Sequence, residues 1–112
     1  GAVEAVVAAM RAHGGAADVQ ERACRALVNI TCDSPANRAR AAEAGAVEAV
    51  VAAMRPHGGD AGVQTRACHA LDNLTRYSPA IWARAAEAGA VEAVVAAMRA
   101  HGGAADVQER AC

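Results

Sequence analysis

Four histidines, four cysteines, two serines and eleven arginines are the side chains most able to carry chemistry in this 112-residue chain. A metal centre would need them closely spaced, and neither C-x-x-C nor H-x-x-x-H occurs. His13, His57 and His101 each precede two glycines and stand 44 residues apart. In stacked repeats they would form a ridge with steps of roughly 10 Å, too wide for one ion. The sequence therefore predicts no metal and no cofactor. Ser34 and Ser78 each precede a proline and read as helix caps, with no histidine and aspartate placed to make either a nucleophile. The acidic residues recur as caps and surface pairs, and the HGG triplets lack the form of a phosphate loop. No enzyme is expected. Cys24, Cys68 and Cys112 share one repeat position, too far apart for disulfides in a stack, while Cys32 has Arg76 as its counterpart. Free thiols fit a reducing, intracellular and cytoplasmic setting.

What positions these residues is a repeat. Residues 1–44 and 45–88 align without gaps at 33 of 44 positions, and residues 89–112 repeat 1–24 at every position. The chain thus forms a single domain, 1–112, with copies 1–44, 45–88 and a partial copy 89–112. Each copy holds three helical signals. In AVEAVVAAMRAH, Val3, Val6, Val7 and Met10 fall on one stripe. In VQERACRALVNIT, the stripe is Val19, Ala23, Ala26, Leu27 and Ile30, with Asp18 and Glu21 spaced as a capping box. Copy two has Gly62 and Thr65 there, so its helix should start less firmly. The third signal, PANRARAAEA, opens with Ser34 and Pro35, and Gly45 turns the chain into the next copy. Period-2 alternation is absent. A three-helix unit too small to bury its own stripe predicts an all-α solenoid of about two and a half 44-residue repeats.

Composition narrows the function classes. Alanine fills 34 positions, lysine is absent, and the formal net charge is -1. Near-neutral charge argues against nucleic acid and against a membrane surface. No apolar run reaches the roughly 20 residues that span a bilayer, and the opening does not read as a secretion signal.

The order SP-capped helix, EAGAVEAVVAAM, VQERACRALVNIT resembles the armadillo repeat family over the whole chain. EAGAVEAVV is similar to the start of that family's second helix, and RALVNIT and HALDNLT to the end of its third. HEAT repeats are the near alternative, but they lack the separate SPANRARAAEA helix. The resemblance implies a right-handed solenoid that binds an extended peptide along its third helices. It also implies that Asn29 and Asn73 hydrogen-bond the peptide main chain. A carboxamide both donates and accepts, so it can pair with a peptide unit of any sequence. Nuclear-import members carry a tryptophan one turn earlier, where Arg25 and His69 stand here. One turn further back are Arg22 and Arg66, with Arg110 their equivalent in copy three. Such a groove should prefer an acidic or neutral segment, with Asp72 opposing slightly.

The ends carry a second expectation. Val3, Val7 and Met10 begin the array, and both ends should expose apolar surface. Tyr77, Ile81 and Trp82 replace Asp33, Asn37 and Arg38 and gather all the aromatics within six residues. These six residues are the candidates for self-association, by stacking or by exchange of the identical segments 1–24 and 89–112. The alternative function is therefore a self-assembling fragment or engineered scaffold that forms homo-oligomers.

Overall fold

The computed structural model describes residues 1–76 and 78–101. Among these residues the chain is all-helical: α1 (Ala2–Ala12), α2 (Ala17–Thr31), α3 (Pro35–Glu43), α4 (Ala46–Met54), α5 (Ala61–Thr75), α6 (Pro79–Glu87) and α7 (Ala90–Ala100). The order repeats with the sequence period.

Local chemistry sets the boundaries. Ser34 and Ser78 accept from the backbone N–H of Asn37 and Ile81 at 3.2 and 3.3 Å, and proline follows each, as expected for helix starts. Gly45 and Gly89 stand at φ 88° and 92°, left-handed values that favour glycine. A Cβ at Gly45 would also run into the Arg11 guanidinium. The expected capping of the long helices is reversed. α2 begins two residues earlier than the Asp18 box implies, at Ala17, and its N-cap Ala16 offers no side-chain cap. α5 is the capped helix, because Asp60 accepts from Val63 N at 3.0 Å. α4 is two residues shorter than α1, since Pro56 replaces Ala12 and has no N–H to donate.

Packing follows repeat position. α2 and α5 lie side by side as the most extensive helix pair; α1, α4 and α7 form a second row. α3 and α6 bridge the rows. Leu27, Val47, Val50, Val63 and Leu74 are fully buried between them. Ala23 and Leu27 of the expected α2 stripe are buried, but Val19, Ala26 and Ile30 are only half-buried. Cys24 and Gln20 close that interior instead.

Candidate functional site

The residues expected to hold a peptide all lie on α2 and α5. On α2, Arg22, Arg25 and Asn29 are exposed. On α5, Arg66 and His69 are half-buried and Asn73 is buried. The two asparagines, expected as equal rungs, differ because α5 has a preceding helix beside it. Asn73 Nδ2 donates to the Val28 carbonyl at 3.2 Å and to the Thr31 hydroxyl at 2.9 Å. Its donor group therefore joins copy two to copy one. Asp72 pairs with Arg76 at 2.7 Å, which offsets the negative charge expected to oppose an acidic partner.

The self-association candidates divide as well. Val3, Val7 and Met10 do not present an open apolar end: they are buried, because α1 packs against α2, α3 and α4. Their counterparts on α7, Val91 and Val95, are 49% and 38% exposed. Ile81 packs half-buried against the core. Trp82 is 56% exposed. Tyr77 lies outside the described residues, as do Arg110 and Cys112. Trp82, Val91 and Val95 line a groove of about 380 Å³ between α5, α6 and α7, together with Thr75 and Met98.

Two polar devices escaped the sequence reading. Gln20 donates to the Met10 and His13 carbonyls at 3.0 and 2.9 Å, and Gln64 to those of Met54 and His57 at 2.9 Å each. Each glutamine thereby closes the carbonyl end of the preceding helix. Its signal was a glutamine recurring in every copy beside the apolar stripe. His57 Nε2 stands 2.8 Å from the Gly14 oxygen, and His101 Nε2 stands 2.8 Å from that of Gly58. A carbonyl only accepts, so each Nε2 carries the hydrogen. The histidine ridge links successive copies.

Titration reflects the same packing. Burial pushes the Cys24 thiol up to about 12, with the neighbouring Cys68 and Glu21 adding to it; burial alone takes Cys68 to about 11. For Glu48, partial burial works upward. The hydrogen bond from Arg84 Nε at 2.8 Å, a backbone hydrogen bond and the Arg84 and Arg11 charges together outweigh it and hold the carboxyl below its ordinary value. Among the described residues, no three His, Cys, Asp or Glu side chains are grouped to hold a metal ion. No described helix is long and apolar enough to cross a membrane.

Comparison with known proteins adds no relative: no family model matches the chain, and neither a curated protein nor a solved structure matches it.

Proposed function

We propose that this chain is a non-catalytic protein-interaction module, a right-handed armadillo-like solenoid of an intracellular protein. Its partner is an extended acidic or neutral segment laid across α2 and α5. The observation that supports this reading is the row of basic side chains on two adjacent helices. Arg22 and Arg25 are exposed on α2, and Arg66 and His69 continue the row on α5 at equivalent positions. Guanidinium groups donate in pairs to carboxylates, which gives such a row both attraction and geometry. The asparagines contribute unequally, because the Asn73 donor already serves the joint between copies. With two copies of the row among the described residues, affinity should be modest. Fluorescence anisotropy with an extended acidic peptide tests the reading. Replacing Arg22 and Arg25 together by Glu should weaken binding at least tenfold. Undiminished binding by that variant, or no binding by the original chain, would overturn it.

A second reading is self-assembly, favoured by the apolar groove beside Trp82. It engages a different surface from the basic row, so both can hold.

A further inference from the structure

Gly62 is the second residue of α5 and stands in ordinary helical backbone, so no turn or positive φ calls for it. After proline, glycine is the residue least suited to a helix. Its reason lies on the neighbouring helix. A Cβ at Gly62 would stand 2.6 Å from Oε1 of Glu21 and 3.2 Å from Oδ1 of Asp60. The Glu21 side chain of copy one therefore rests on the start of α5, across the most extensive helix pair among the described residues.

Copy two departs from copy one at these positions. α2 has Ala16, Asp18 and Glu21, where α5 has Asp60, Gly62 and Thr65. In α5 the acidic residue is set back two places, where Asp60 accepts from Val63 N at 3.0 Å. The place beneath Glu21 is left without a side chain. A helix that started like α2 would set an aspartate there, carboxylate against carboxylate. Glu21 and Gly62 are both half-buried, so solvent would screen such a pair incompletely.

We propose that Glu21 and Gly62 are the selectivity pair of the joint between copies. The face of α2 accepts a helix that begins like α5 and rejects one that begins like α2. Apolar packing discriminates little between the two, because Val19 and Val63, Ala23 and Ala67, and Leu27 and Leu71 are matched. A charge placed against the wrong partner supplies the missing discrimination. The order of copies is thus written in charge rather than in packing. The pair lies outside the basic row, so the proposal is independent of the peptide reading.

Urea unfolding followed by circular dichroism tests this with Gly62→Asp and Gly62→Asn, each made in the original chain and together with Glu21→Gln. Aspartate and asparagine have nearly the same size and differ in charge. In the original chain, Gly62→Asp should have a folding equilibrium constant about two- to fivefold below that of Gly62→Asn. With Glu21→Gln, most of that deficit should vanish, and the remainder is the share of Asp60. A Gly62→Asp chain that does not fold, while Gly62→Asn does, is the same result if Glu21→Gln restores folding. The proposal is overturned if the two variants are equally stable in the original chain, or if the deficit survives Glu21→Gln undiminished. Failure of Gly62→Asn to fold also overturns it, because the joint would then reject any side chain rather than a charge.

Discussion

Cys24 and Cys68 occupy the same position in successive copies and are both buried, whereas Cys32 is exposed. Only a thiolate attacks an electrophile, and burial in apolar surroundings disfavours that charge. The Cys24 and Cys68 thiols, pushed up to about 12 and about 11, therefore stay protonated at neutral pH. Labelling the native chain with a thiol reagent, followed by peptide mass mapping, should modify Cys32 first. Cys24 and Cys68 should react only on denaturation, and fast native labelling of Cys24 would show that the joint between α2 and α5 opens readily. The same shifts have a sign for stability. Above pH 9.0, the ordinary thiol value, the unfolded chain releases protons that the folded chain retains. Stability held at neutral pH should thus decline as pH rises from there through the folded values.

At the scale of the element, Ala16 and Asp60 provide a controlled comparison. Their backbones are nearly the same, φ -95° and ψ 102° against φ -99° and ψ 103°, yet only Asp60 caps its helix. An N-cap side chain satisfies an amide that the helix itself leaves without a partner, a contribution of about 1 kcal/mol. Asp60→Ala should lower stability by about that amount, and Ala16→Asp should raise it by a similar amount, both measured by chemical denaturation. If Ala16→Asp has no effect, the start of α2 is held by packing rather than by its cap. This boundary also shows what the sequence conveys about elements. The three helices per copy were legible, because the apolar spacing, the Ser-Pro starts and Gly45 all have local causes. The start of α2 was not. The spacing of Asp18 and Glu21 has the form of a capping box, but the alanines before Asp18 extend the helix and draw Asp18 inside its first turn.

For the whole molecule, burial depends on neighbours rather than on sequence, and α1 and α7 isolate that effect. Both read AVEAVVAAMRA. α1 packs against α2, α3 and α4, and Val3 and Val7 are buried. Among the described helices, α7 packs against α4, α5 and α6, and the equivalent Val91 and Val95 are exposed. No reading of the eleven shared residues could have assigned the apolar surface to one helix and denied it to the other. The asparagines repeat the lesson: Asn29 and Asn73 stand in the same local pattern, but Asn73 bonds the copy before it while Asn29 is exposed. In a repeat array each unit is stabilised chiefly by its neighbours, so opening should be easiest where neighbours are fewest. Amide exchange followed by NMR in dilute protein should find α4 and α5 slowest, with α7 exchanging well before α1. Matched amides in α1 and α7 have the same neighbouring side chains, so their intrinsic exchange rates are equal and the ratio of observed rates reports the difference in opening alone. Equal protection of the two helices would mean that α7 is held as firmly as α1, and the exposed Val91 and Val95 would then have a cover in solution.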